Sequence, residues 1–94
     1  MLLVQEINWR KQKEVPAVCH VDGTGRLQTV SNEINSQYWQ LIDNFDKLTG
    51  TPMVLNTSFN VRGEPIVCSP KEAINCFSGT GLDALVIGNY VVKK

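Results

Sequence analysis

Ser36-Gln37-Tyr38-Trp39-Gln40-Leu41-Ile42-Asp43-Asn44-Phe45-Asp46-Lys47-Leu48-Thr49, followed by Gly50-Thr51-Pro52-Met53-Val54-Leu55, is the stretch on which the fold turns. Tyr38, Leu41, Ile42, Phe45 and Leu48 fall at i, i+3, i+4, i+7 and i+10, which is one apolar stripe of a helix. Asn35 or Ser36 can cap its start, and Gly50 with Pro52 stops it. Pro52–Leu55 then reads as a short apolar strand. A helix that delivers the chain directly into a strand indicates an α/β class.

Working outward, Met1–Ile7 reads as a strand and Asn8–Glu14 as a polar connector. Ala17–Val21 and Arg26–Val30 flank Asp22-Gly23-Thr24-Gly25, which predicts a hairpin. Beyond the central strand, a turn at Arg62-Gly63-Glu64-Pro65 leads to a short strand at Ile66–Cys68. Ser69 at N-cap, Pro70 at N1 and Glu72 at N3 open a second helix, which turns Ala73, Ile74 and Phe77 inward. It ends near Gly79 or Gly81, and a last strand runs from Leu85–Ile87 to Val92. The expectation is an α/β (α+β) fold: two main helices on one mixed, twisted sheet, in two layers, as one domain over 1–94.

The 94 residues are 43% apolar, which argues for a packed core and against disorder. Nine basic and nine acidic residues balance to zero, so no strong field draws nucleic acid or a membrane surface. The cluster Arg10, Lys11 and Lys13 reads as a solvated loop. Cys19, Cys68 and Cys76 form no CxxC pair, so reduced thiols in a cytoplasmic protein are expected. The apolar start is too short for a membrane span. An uncovered sheet edge would favour a homo-oligomer.

Polar side chains concentrate where the central strand ends. Continued extension through Asn56-Thr57-Ser58-Phe59-Asn60 puts Asn56, Ser58 and Asn60 on one face, with Thr57 and Phe59 on the other. Such amides and hydroxyls donate to phosphate oxygens and accept from an NH2 group, although Asn and Ser equally mark turns. Arg26, just past the first turn, offers a guanidinium fork to a phosphate or carboxylate. His20 and Asp22 share a face by alternation, so Asp22 can orient the imidazole, while Asp22-Gly23 is also an ordinary turn and His20 an ordinary structural residue. Cys19, His20 and Asp22 lack a fourth ligand and fit no common zinc spacing, so no metal site is expected here. Arg62, Glu64 and Asp83 read as turn or cap residues, and Trp9, Trp39, Met53 and Phe77 as packing.

Pro16-Ala17-Val18-Cys19-His20-Val21-Asp22-Gly23-Thr24-Gly25-Arg26-Leu27-Gln28-Thr29-Val30 and Thr49-Gly50-Thr51-Pro52-Met53-Val54-Leu55-Asn56-Thr57-Ser58-Phe59-Asn60 resemble signatures of the O-carbamoyltransferases of antibiotic and nodulation-factor synthesis. Gly63-Glu64-Pro65-Ile66-Val67-Cys68-Ser69-Pro70 and Leu82-Asp83-Ala84-Leu85-Val86-Ile87-Gly88 fit the same C-terminal region. The resemblance implies a YrdC-like α/β domain that cleaves carbamoyl phosphate and joins the carbamoyl group to AMP from ATP. It also implies a partner, an N-terminal actin-like domain holding metal, ATP and the acceptor alcohol. Ser58-x-Asn60 looks like the serine–asparagine motif that contacts nucleotide and carbamoyl groups, Arg26 matches a phosphate-binding arginine, and His20 is a further candidate. Asn56 and Thr57 would shape the cradle. The upstream lysine–arginine cluster of such sites has no counterpart in this sequence, so the chain alone is expected to be inactive. A nucleotide- or carbamoyl-binding module is the alternative from another class. A threonylcarbamoyl-adenylate synthase-like protein is a third, disfavoured by the neutral charge and the Asp-Gly-Thr-x-Arg stretch.

Overall fold

A computed structural model describes residues 3–94, and the chain divides into two compact units, Met1–Asn56 and Thr57–Lys94. Among the described residues, each contains one α-helix and one two-stranded antiparallel sheet, so the class is α+β. The single mixed sheet expected from sequence is replaced by two separate ladders. Among the described residues, Pro52–Leu55 and Ile66–Cys68 form no strand. Pro52 has no N–H for a ladder, and the Met53 N–H donates locally to the Thr51 carbonyl at 2.9 Å. From the Ile66–Cys68 segment, the Val67 N–H donates a single bond to the Phe59 carbonyl at 2.9 Å.

In the first unit, β1 (Leu3–Glu6) pairs with β2 (Thr24–Leu27), placing Val4 opposite Arg26 and Glu6 opposite Thr24. Met1 and Leu2 of the expected first strand lie outside the described residues. The predicted hairpin arm Ala17–Val21 is not a strand. Pro16, with its fixed φ, opens a 3₁₀ turn over Pro16–Val18, and β2 takes β1 as partner instead. Gly25 makes this packing possible. A Cβ there would lie 2.9 Å from Ile7 Cδ1 and 3.0 Å from the Val18 carbonyl oxygen.

Helix α1 spans Ser36–Thr49 and is capped as its sequence dictates. Asn35 Oδ1 accepts from the Tyr38 N–H at 3.2 Å. Gly50 closes the helix in the left-handed region at φ 77°, where a side chain would be strained. The apolar stripe is not buried: Leu41, Phe45 and Leu48 are exposed, and only Tyr38 and Ile42 are half-buried.

The second unit has a small core of its own. Helix α2 spans Pro70–Ser78. Ser69 Oγ accepts from the Glu72 N–H at 3.2 Å, and Glu72 Oε2 accepts from the Cys68 N–H at 2.7 Å, one residue earlier than in a strict capping box. Ala73 and Phe77 are buried with Leu85, and Phe59, Val67 and Ile87 pack around them. Ile74, expected inward, is 51% exposed, because Ala73 and Phe77 already define the buried line at i and i+4. The expected last strand is a hairpin of β3 (Ala84–Ile87) and β4 (Tyr90–Lys93). Gly88, at φ 56°, begins its two-residue loop, a position where type II′ turns favour glycine. Lys94 Nζ lies 5.0 Å from the Phe77 ring centroid and donates to the Thr80 carbonyl.

Candidate functional site

The turn before β2 is held by its own polar atoms. The His20 N–H donates to the Thr24 carbonyl at 2.7 Å, and the Gly23 N–H to the His20 carbonyl at 3.0 Å. Asp22 Oδ1 accepts twice from Thr24, from its N–H at 3.0 Å and its hydroxyl at 2.6 Å. His20 Nδ1 sits 3.1 Å from the same hydroxyl oxygen. The Thr24 hydroxyl, followed by the Thr24 N–H, holds the Asp22 carboxyl below its ordinary value of 3.8, so Asp22 is ionised at neutral pH. Asp22 thus reaches the imidazole through Thr24, where alternation alone placed the two side by side.

Of this turn, His20 lines a cavity of about 700 Å³ formed wholly within the first unit. Arg26, His20 and Asn56 line it together, and Tyr38, Trp39 and Ile42 of α1 supply an apolar wall. Arg26 is its one guanidinium, and the carboxylates of Glu6 and Asp43 also line it. Such a space can receive an oxyanion at Arg26 and an amide or hydroxyl at Asn56, beside an apolar surface.

Of the six residues singled out from sequence, His20, Arg26 and Asn56 share this cavity. Thr57, Ser58 and Asn60 belong to the second unit. There the Thr57 hydroxyl donates to the Ser58 carbonyl at 3.3 Å, and Ser58 is exposed. Asn60 is half-buried and braces the following turn, with Nδ2 donating to the Val61 and Glu64 carbonyls at 3.1 and 3.0 Å. Its amide hydrogens are therefore engaged, and Oδ1 is the atom left to meet a ligand. Sequence reasoning missed Thr24, although an Asp two residues before a Thr is an Asx-turn signal. Trp9, which the sequence suggests is packed, is a 74% exposed residue, with the Arg10 guanidinium 5.3 Å from its ring centroid.

Among the described residues, Cys19, Cys68 and Cys76 are free thiols, and no helix is long and apolar enough to cross a membrane. The whole chain, residues 1–94, matches the sequence family described as carbamoyltransferase C-terminus. Over its full length it is 51% identical to nodulation protein NolNO of Sinorhizobium fredii, covering 14% of that protein. It is 48% identical to nodulation protein NolO of Bradyrhizobium diazoefficiens, covering 17% of it. An uncharacterised protein of Methanocaldococcus jannaschii is 44% identical over the full chain, which covers 18% of it. The chain thus spans under a fifth of these relatives' lengths. With the match running from its first residue to its last, the chain belongs to the carbamoyltransferase C-terminal family.

Proposed function

We propose that this chain is the C-terminal part of an O-carbamoyltransferase. It binds carbamoyl phosphate and the nucleotide, and helps form carbamoyl-adenylate for transfer to a hydroxyl acceptor. The cavity that gathers Arg26, His20 and Asn56 carries this reading. Arg26 receives the phosphate through charge-assisted hydrogen bonds. Asn56 offers both a donor and an acceptor to the carbamoyl group. Within the second unit, Ser58 and Asn60 are the residues for which the Ser-x-Asn motif implies a part in nucleotide and carbamoyl binding. Chemistry on such a ligand rests on stabilising charge at phosphate and carbonyl oxygens, with no protein nucleophile required.

Glu6 and Asp43 favour a second, narrower reading, in which the chain holds its ligand without turning it over. Two carboxylates against one guanidinium leave the cavity short of positive charge for a dianion. The remaining cations would come from the rest of a longer protein, together with the actin-like domain that the family resemblance implies.

Calorimetric titration with carbamoyl phosphate, AMP and ATP tests the proposal, comparing the native chain with Arg26→Ala and Ser58→Ala. A hydrogen bond to a charged group is worth about 1.5–3 kcal/mol, so Arg26→Ala should weaken carbamoyl phosphate by roughly 10- to 100-fold. A folded chain that binds none of the three, or affinities unchanged by both substitutions, would overturn it.

A further inference from the structure

The Thr24 hydroxyl has one proton and two neighbours within reach, Asp22 Oδ1 at 2.6 Å and His20 Nδ1 at 3.1 Å. An ionised carboxylate only accepts, so the Thr24 proton goes to Asp22. The hydroxyl oxygen then meets the imidazole as an acceptor, and Nδ1 must carry a hydrogen. In the neutral ring this leaves the lone pair on Nε2. An unconstrained imidazole in water prefers the reverse, with the hydrogen on Nε2. The turn therefore holds the ring against its own preference, and His20 lines the cavity that Arg26 also lines.

We propose that Asp22 and Thr24 are positioning residues that fix His20 as the Nδ1–H tautomer, so that Nε2 accepts a hydrogen bond from an N–H of the ligand and makes His20 a specificity-determining residue. The inference rests on the cavity being a carbamoyl-ligand site. Arg26 has donors only, so it reads oxygens and is blind to the carbamoyl nitrogen. Nε2 has the complementary property: it can accept from the carbamoyl NH2 and gains nothing from a methyl group. The pair would thus separate carbamoyl phosphate from acetyl phosphate, which is nearly isosteric and places CH3 where the NH2 stands. A site built to hydrogen-bond a ligand NH2 disfavours the analogue that lacks it, because a bound methyl group covers the exposed His20 acceptor and gives it no partner in place of water.

His20 is the single histidine of the chain, so long-range proton–nitrogen correlation of the 15N-labelled chain reads its ring without ambiguity. At a pH where the ring is neutral, the expected pattern is a protonated Nδ1 and an unprotonated Nε2. Thr24→Ser should keep that pattern and Thr24→Val should reverse it; the native and serine proteins suffice if the valine variant does not fold. Carbamoyl phosphate should move the Nε2 resonance, whereas acetyl phosphate should not and should bind about tenfold more weakly, the scale of one hydrogen bond. An Nε2–H ring in the free native chain overturns the relay whatever binds. Carbamoyl phosphate that binds by calorimetry yet leaves Nε2 unmoved, or binds no tighter than acetyl phosphate, overturns the acceptor role and leaves the proposed site standing. Absence of any binding overturns the proposed site and the acceptor role together, while the tautomer is still decided by the free chain.

Discussion

Asp22, Thr24 and Gly25 show how much single residues decide in the first unit. The folded Asp22 carboxyl titrates below 3.8, chiefly because Thr24 donates to it. A depressed carboxylate contributes stability above its unfolded pKa, and that contribution is lost as pH falls through the lower folded value. Thr24→Val should therefore raise the Asp22 titration toward its ordinary position, as read by carboxyl carbon shifts across an acid titration. An unmoved titration would deny the hydroxyl its role. Gly25→Ala tests packing in place of charge. Its methyl would meet both Ile7 Cδ1 and the Val18 backbone carbonyl, so a destabilisation of about 1–3 kcal/mol is expected in urea denaturation. The Asp22-Gly23 turn was legible in the sequence. The role of Gly25 was not, because Ile7 comes near through the β1–β2 pairing and the Val18 carbonyl through the 3₁₀ turn before β2, neither of which the sequence reading contained.

The helices could be read from sequence because their signals are local. Asn35 and Gly50 bound α1, and Ser69, Pro70 and Glu72 open α2, all within a few residues of the hydrogen bonds they make. Replacing Ser69 with Ala removes the acceptor for the Glu72 N–H and should cost about 1 kcal/mol, measurable as a lower denaturation midpoint. Strand partners resisted the same treatment. The sequence marks Arg26–Val30 as a strand and Thr24-Gly25 as part of the turn before it, yet the strand is Thr24–Leu27 and its partner is β1, not the residues just before the turn. Apolar content alone marked Pro52–Leu55 as a strand, but no ladder forms there, since proline at its start withholds a donor. Gly88-Asn89, a hairpin signal of the familiar glycine-first kind, lay unread inside what looked like one long strand.

Among the described residues, little apolar surface is fully buried. Ala73, Phe77 and Leu85 are the buried hydrophobic residues among those described, which makes Phe77 the largest buried side chain of the second unit. Phe77→Ala should destabilise that unit by about 3 kcal/mol or more and abolish slow amide exchange at Leu85 and Val86. Leu41, Phe45 and Leu48 of α1 and Val86, Tyr90 and Val91 of the terminal hairpin are all exposed. Family relatives extend far beyond the span this chain matches, and the family's motifs, not its packing, made the chain recognisable. The candidate site was legible only as residue types: His20, Arg26, Asn56, Thr57, Ser58 and Asn60 stand out for their chemistry, and three of the six, His20, Arg26 and Asn56, share a cavity. Their common cavity is a product of chain pairing that no local pattern encodes.

Backbone amide mapping with carbamoyl phosphate tests the placement of the ligand most directly. The 15N-labelled chain, titrated to saturation, should show its largest shifts at His20, Gly25, Arg26, Leu27 and Asn56, which border the cavity. Shifts confined to α2 and the β3–β4 hairpin, with His20 and Arg26 unmoved at saturation, would contradict it.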